Sequence, residues 1–292
     1  MSHSLSPAAR SETLIEALPY IQEFRGHTFV IKYGGSAMED EHQVQRLLRD
    51  VVFLEAVGIN PVLVHGGGKA ISSRMREAGL SPNFVNGLRV TDEASIKIVE
   101  QTLDEVINPG IVASITNHGG RALGLSGKNV FVSRKLSPVR VDGGEVDLGF
   151  VGEAVGVSTK EVTAAVAEEI VPVISPIGAT TEGQVLNINA DVAAAALAGS
   201  LKATKLLFVS DVPGIMRDPS QKDSLIPSVT SAQTRTLIKE KVIAGGMIPK
   251  VESAVKALEQ GVGKVHFIGG HIPHGLLVEI FSNAGIGTEI VL

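Results

Sequence analysis

Apolar and polar residues along this chain follow two alternating rhythms. In residues 11–24, Leu14, Leu18 and Ile21 fall four and three apart and Phe24 continues the face, which predicts a short amphipathic helix with Ser11 as N-cap. That stripe can cover the helix's own domain or dock on another subunit. Short continuous apolar runs follow, at Thr28–Ile31, Pro61–Val64, Ile170–Ile174, Leu206–Val209, Val265–Ile268 and near 287–291. Between them lie helical periods over 40–57, 69–78, 189–201, 247–260 and 273–281. In 40–57 the face is Val44, Leu47, Leu48, Val51 and Leu54. Strands without polar interruption suit a sheet buried on both sides. Their alternation with helices predicts βαβ units and a parallel sheet. Residues 121–157 break the rhythm. Short runs at 130–132, 139–141 and 150–152, separated by Gly and Asp, predict a local antiparallel excursion. Pro176, Gly178 and Gly183 mark a seam, so we expect two lobes sharing one sheet. No repeat of fixed period is present.

Composition narrows the function. Lys plus Arg number 26 against 31 acids, a formal charge of −5, and aromatic residues make up 4%, both of which argue against a nucleic-acid binder. No cysteine is present, which excludes a disulfide framework, a cysteine nucleophile and a thiolate metal site. The longest apolar run, Ala193–Ala198, is far short of the roughly 20 residues of a membrane span. The first residues lack the pattern of a signal peptide, so a soluble cytoplasmic protein without membrane partners is expected. The chain has 32 glycines, about 11% against a usual value of about 7%, and their placement needs a reason.

Many of those glycines follow strands. Lys32-Tyr33-Gly34-Gly35-Ser36 leaves the first strand, and His65-Gly66-Gly67-Gly68 leaves the second and opens a helix. Backbone N–H groups without a neighbouring Cβ approach an anion closely, and a helix N-terminus adds its dipole. A plain turn with a solvated lysine remains open for the first loop, and a structural histidine is the better reading of His65. Lys69 opposes the dipole of its helix unless an anion is present. Arg89, in Asn86-Gly87-Leu88-Arg89-Val90-Thr91, suits a bidentate carboxylate clamp or a surface ion pair. In Asn187-Ile188-Asn189-Ala190-Asp191, capping accounts for one polar side chain but not for three. Gly245-Gly246-Met247-Ile248-Pro249-Lys250 opens another helix with a cation in its first turn. The loop Ser210-Asp211-Val212-Pro213-Gly214 can line a nucleotide pocket or simply turn. Two anion loops on adjacent βα units suit phosphoryl transfer. Neither the P-loop signature nor a Rossmann fingerprint occurs, so those nucleotide classes fall. The esterase reading of the Gly triplet fails for want of a G-x-S-x-G elbow.

The motifs at 32–35, 65–68, 86–91, 187–191 and 245–250, in this order and spacing, resemble the amino-acid kinase family over residues 12–292, in the branch that phosphorylates N-acetyl-L-glutamate for arginine biosynthesis. The resemblance implies an α/β fold, a three-layer αβα sandwich around a mostly parallel sheet, plus an N-terminal helix. It implies three segments: a helical extension for oligomerisation at 1–25, an N-acetylglutamate-binding and dimerising lobe at 26–178, and an ATP-binding lobe with an arginine site at 179–292. Lys32 and Lys250 would stabilise the transferring phosphoryl group and Asp191 would orient both. Gly67, Gly68, Arg89, Asn187 and Asn189 would bind the acyl amino acid. Gly34, Gly35, Ser210, Asp211, Gly214 and Gly246 would contact ATP. Mg²⁺ would arrive with ATP, with no protein ligand of its own. The substrate's carboxylate is already a nucleophile, so no general base is required.

The first helix and the run 277–288 resemble the arginine-inhibited branch, which implies Tyr20, Lys205, Glu279 and Gly287 as contacts for L-arginine and a homo-hexamer built as a trimer of dimers. A PII-type signalling protein is a candidate regulator on which the sequence is silent. Lys69 stands where the family commonly has proline, and Asn108-Pro109-Gly110 is expected to break its helix. The rival readings are a kinase of glutamate, aspartate or carbamate, and a non-catalytic arginine sensor on the same fold.

Overall fold

The structure is a computed structural model that describes residues 6–38, 40–141, 143–282 and 285–292. The first half runs α1 (Pro7–Phe24), β1 (Thr28–Tyr33), α2 (Glu41–Ala56), β2 (Asn60–His65), α3 (Gly68–Glu77), β3 (Phe84–Val85), β4 (Leu88–Arg89), α4 (Glu93–Gln101), α5 (Asn108–Asn117), β5 (Ala122–Leu125), β6 (Phe131–Lys135), β7 (Val139–Val141), β8 (Gly144–Val146) and β9 (Val151–Val157). The second half runs α6 (Lys160–Ala167), β10 (Val171–Ile174), β11 (Ile177–Ala179), β12 (Val185–Ile188), α7 (Ala190–Leu201), β13 (Lys205–Ser210), β14 (Ser228–Thr230), α8 (Ser231–Lys239), α9 (Met247–Glu259), β15 (Lys264–Gly269), α10 (Gly275–Ile280) and β16 (Thr288–Val291).

One eight-stranded sheet carries the molecule, in the order β14-β16-β15-β13-β1-β2-β10-β5. Every neighbouring pair is parallel except β15 and β16. Period-two alternation along the central strands feeds both faces. Val30, Val62, Ile174 and Phe208 pack under α6, α7, α8 and α9. Ile31, Leu63, Val173 and Leu207 pack under α1, α2, α5 and α10. The result is the expected αβα sandwich with a mostly parallel centre. The alternation also sends Lys32 to the α7 side while its neighbours Ile31 and Tyr33 face α2.

Three local expectations are corrected. The first helix begins at Pro7 and Ser6 is its N-cap, its hydroxyl accepting from Ala9 N at 3.2 Å, because proline pre-sets the first helical residue. Ser11 lies inside the helix, its hydroxyl bonded to Pro7 O. The stretch 121–157 is antiparallel only in part. Residues 122–125 join the main sheet as its parallel edge strand, while β6 and β9 close with β11 and β12 into a four-stranded barrel. Finally, Pro109 does not break its helix. A π-helical turn at Thr102–Ile107 links α4 to α5, and the Asn108 N–H bonds Leu103 O five residues back. Proline in a regular helix clashes with the carbonyl four residues back. The wider turn places Pro109 in the first turn of α5 instead, where it is tolerated.

Candidate active site

Three charged side chains meet beyond the carboxyl ends of β1 and β13. Lys32 comes from β1, Asp191 from the first turn of α7 and Lys250 from the first turn of α9. Lys32 Nζ lies 2.8 Å from Asp191 Oδ1, and Lys250 Nζ donates to Oδ2 at 2.6 Å. Oδ1 has no well-directed hydrogen bond, so its link to Lys32 is an ion pair off the hydrogen-bonding direction. Lys32 is 5% exposed and Asp191 7%, so solvent screens this triad little. Burial pushes the Lys32 pKa below that of an ordinary lysine, and the attraction of Asp191 only partly restores it. Burial pushes the Asp191 carboxyl up, but Lys32 and Lys250 outweigh this and hold it below the usual carboxylate range. Two cations on one carboxylate leave one positive charge in excess, suited to a developing anion.

The glycine loops frame that charge. Gly66 N donates to Tyr33 O at 2.6 Å and ties the two loops together. A Cβ on Gly34 would lie 2.7 Å from Lys32 Nζ, and one on Gly66 would lie 3.2 Å from the Gly34 Cα. The loops therefore touch backbone to backbone beside the Lys32 ammonium. Gly35 has φ +77° and faces Asp211. Gly67 is walled by Leu103 and Ile107, whereas Gly68 and Gly246 face open space. Neither α3 nor α9 has a side-chain cap at its start. At the start of α9 the Met247 and Ile248 N–H groups bond Ala244 O and Gly245 O at 3.2 Å, so that helix adds its dipole rather than free donors, and the glycine-led start of α3 suits phosphate at a helix N-terminus. The residues present thus fit a polyphosphate: backbone donors, two ammoniums and two helix dipoles converge.

Arg89 lies beside this cradle. Asn86 and Gly87 both have positive φ and form the tight turn between β3 and β4 that carries Arg89 inward. Its guanidinium donates to Gly68 O at 2.7 Å and Ser72 Oγ at 2.8 Å, and lies over the Phe84 ring. It is 6% exposed, and among the described residues no carboxylate pairs with it. Burial pushes its pKa below the ordinary value, and Arg76 adds to the fall. A buried guanidinium without a protein carboxylate beside it is suited to pairing with an anionic group. Asn187, at the end of β12, donates to Thr91 Oγ1 at 3.4 Å. Asn189 caps α7, its Oδ1 accepting from Asp191 N and Val192 N, so its visible work is to aim Asp191. Ser210 is buried at the end of β13 and Asp211 is exposed beside the Gly35 loop. Gly214 packs against Thr288, where a Cβ would lie 2.5 Å from Oγ1.

Lys205, Glu279 and Gly287 gather elsewhere, around a residue that the sequence does not single out. His266 on β15 sits between them. Lys205 Nζ donates to its Nε2 at 3.2 Å and its Nδ1 donates to Glu279 Oε1 at 2.7 Å. Glu279 Oε2 accepts from the N–H groups of Ile286 and Gly287 at 2.6 and 3.0 Å. Burial pushes the Glu279 carboxyl up, but His266 and those two N–H groups hold it below the usual range. Burial also lowers Lys205 and His266. Tyr20 packs edge to face on Phe281, which follows α10, and the Lys205 ammonium lies over the Phe24 ring at the end of α1. His266 lies in an apolar run that reads only as a strand, so no sequence signal marks it.

Residues 27–269 match the amino acid kinase family. The acetylglutamate kinase of Akkermansia muciniphila is 50% identical over 283 residues, 97% of this chain and 95% of that one. That of Methanocaldococcus jannaschii is 48% identical over 96% of each chain. Among solved structures, N-acetylglutamate synthase from Neisseria gonorrhoeae complexed with coenzyme A and L-arginine superposes with a TM-score of 0.81 at 26% identity. The match covers 96% of this chain and 65% of the synthase, so this chain spans just under two thirds of that protein. The carbamate kinase of Giardia lamblia bound to AMP-PNP, at 17% identity and TM-score 0.66 over 91% of this chain and 98% of that one, shares the fold.

Proposed function

This chain belongs to the amino acid kinase family, and on that footing we propose that it transfers the γ-phosphoryl group of ATP to the 5-carboxylate of N-acetyl-L-glutamate. The observation that carries the reading is the Lys32–Asp191–Lys250 triad at the meeting point of two glycine loops. The acetylglutamate kinases quoted above, 48–50% identical over nearly the whole chain, supply the substrate. Lobe 26–178 takes the acyl amino acid and lobe 179–292 takes ATP.

In this reading Arg89 and Asn187 hold the substrate, Arg89 pairing a carboxylate that is not the reacting one. A 5-carboxylate oxygen attacks the γ-phosphorus, and the bond from that phosphorus to the β-bridging oxygen breaks. ADP leaves with the electron pair, and the product is an acyl phosphate. No proton moves, so no residue acts as a base. Lys32, Lys250 and the N–H groups of the glycine loops hold charge on the equatorial oxygens, and Asp191 keeps the two ammoniums apart and aimed. Positioning and electrostatics of this kind supply most catalysis in phosphoryl transfer. Mg²⁺ arriving with ATP would take no ligand from the chain and would supply further charge neutralisation. A coupled ADP-release assay with N-acetylglutamate, glutamate and aspartate tests the reading. Turnover on N-acetylglutamate alone is expected, and turnover on none of the three refutes it.

L-arginine is the proposed feedback inhibitor, with Tyr20, Lys205, Glu279 and Gly287 as its contacts, supported by the convergence of Lys205, Glu279 and Gly287 around His266. An unchanged rate in saturating arginine refutes this. On α1, Leu14, Ile15 and Leu18 are exposed, which supports a helix that joins dimers into a hexamer. Leu14→Asp with Ile15→Asp should lower the mass in light scattering, and an unchanged mass speaks against the helix as the joint. No described helix is long and apolar enough to cross a membrane, in keeping with a cytoplasmic enzyme.

A further inference from the structure

We propose that His65 and Asn108 are positioning residues, which with the π-helical turn fix the Gly66–Gly68 loop so that its N–H groups meet the transferring phosphoryl group. The inference rests on the phosphoryl-transfer reading above.

His65 is fully buried at the end of β2. Its Nδ1 lies 2.9 Å from Gly66 O. A carbonyl only accepts, so Nδ1 carries the hydrogen. Burial pushes the imidazole pKa down to about 4, well over the opposing effects of Gly66 and Asp104, so the ring is neutral. Nε2 is then an acceptor, and Asn108 Nδ2 lies 3.3 Å from it. The second hydrogen of that amide goes to Val173 O at 2.8 Å. Both ring nitrogens and both amide hydrogens are thereby used.

The consequence reaches the loop through one peptide bond. The carbonyl of Gly66 and the N–H of Gly67 share a planar trans unit and point in opposite directions. Anchoring that carbonyl on His65 turns the Gly67 N–H away from the buried ring. From behind, Ile107 Cδ1 and Leu103 Cδ2 would lie 2.6 and 2.7 Å from a Cβ on Gly67, so they bound the loop on that side. Both belong to the π-helical turn. The same turn hands the chain over to Asn108 with a five-residue hydrogen bond, and a side chain on Gly124 of the edge strand would collide with Asn108 Oδ1. Loop, turn and edge strand form one support. π-Turns occur often at functional sites, and here the turn has an identifiable task.

The test compares His65→Leu, His65→Asn and Asn108→Leu in the full-length enzyme. His65→Leu and Asn108→Leu should lower kcat about 10- to 100-fold with both KM values within about threefold, because a misplaced loop costs transition-state contacts. His65→Asn keeps a donor near the Nδ1 position and should retain kcat within about fivefold, a rescue that a purely structural histidine does not show. Should a leucine variant fail to fold, ¹⁵N NMR of the wild-type imidazole decides. A neutral ring carrying its hydrogen on Nδ1 is expected from pH 8 down to about pH 5. An Nε2–H tautomer, an imidazolium at that pH, or leucine variants with unchanged kcat overturns the proposal. Wild-type enzyme inactive on every carboxylate would end the phosphoryl-transfer reading instead.

Discussion

Replacing Asp191 by Asn removes the carboxylate between two ammoniums and keeps its shape. In the native site Lys32 and Lys250 lie 2.8 and 2.6 Å from its two oxygens. Removing one partner of a buried pair costs about 3–5 kcal/mol, which at about 1.4 kcal/mol per unit is roughly 2–4 pK units. Lys32 starts below the ordinary lysine value, because burial already disfavours its charge. The sign is therefore fixed. Without Asp191 the Lys32 pKa falls further, and the lysine is neutral at pH values where the native enzyme keeps it charged. The alkaline limb of the kcat profile should move acidward by about two units or more. At pH 8 kcat should fall about 10²- to 10³-fold, the usual cost of one lost preorganised charge or donor. At pH 6 the deficit should be several times smaller. The assay is ADP release at saturating substrates from pH 5.5 to 9.5. An alkaline limb in the native position, or an equal loss at every pH, refutes the assignment of Asp191 as the group that keeps Lys32 charged.

Other perturbations read other parts of the molecule. Asp50 on α2 is buried and bonds His274 Nδ1 at 2.5 Å, and burial raises its carboxyl to about 6 despite that partner. Between about pH 4 and 6 the folded protein then holds a proton that the unfolded chain has released. Stability from this group falls as pH rises through that window, by up to about 1.4 kcal/mol per unit. Asp50→Asn should flatten the Tm-against-pH curve there, and an unaltered slope contradicts this. Gly67→Ala drives a Cβ into Ile107 and Leu103 and should cost about 1–3 kcal/mol in urea unfolding, while Gly68→Ala, facing open space, should cost under about 1. Equal costs would show that the wall is not tight. Arg89→Lys replaces a planar guanidinium, whose Nη2 bonds Gly68 O and Ser72 Oγ and whose Nη1 lies against Met75 Sδ, with a single shorter-reaching ammonium. It should raise KM for N-acetylglutamate about tenfold or more and leave KM for ATP within about twofold. A matching rise for ATP would place Arg89's role elsewhere.

The parts of the fold legible in the sequence are those where one physical demand dominates. Central parallel strands are covered on both faces, so β1, β2 and β13 carry unbroken apolar runs and β15 one interrupted only by His266. Anion loops require missing Cβ atoms and leave visible glycine doublets and triplets. The motifs mark Lys32, Asp191 and Lys250 each as a charge at the edge of an element, but only the family resemblance puts the three together. Other features depend on partners distant in sequence. Asn108-Pro109-Gly110 reads as a break because proline normally stops a helix, and nothing local announces a π-helical turn that accommodates it. β5 reads as loop because its sequence, Ala-Leu-Gly-Leu, is short, and its glycine makes room for Asn108. His266 is invisible in its apolar run until folding brings Lys205 and Glu279 to its two nitrogens.

The proposed product of this site is an acyl phosphate on the 5-carboxylate of N-acetyl-L-glutamate. Hydroxylamine traps acyl phosphates as hydroxamates, which can be identified by mass. Purified enzyme with ATP, Mg²⁺, N-acetyl-L-glutamate and hydroxylamine should yield N-acetylglutamate 5-hydroxamate in proportion to ADP released, and Lys32→Met should abolish it. ADP release without the hydroxamate, or the corresponding product from glutamate or aspartate at an equal rate, would contradict the account.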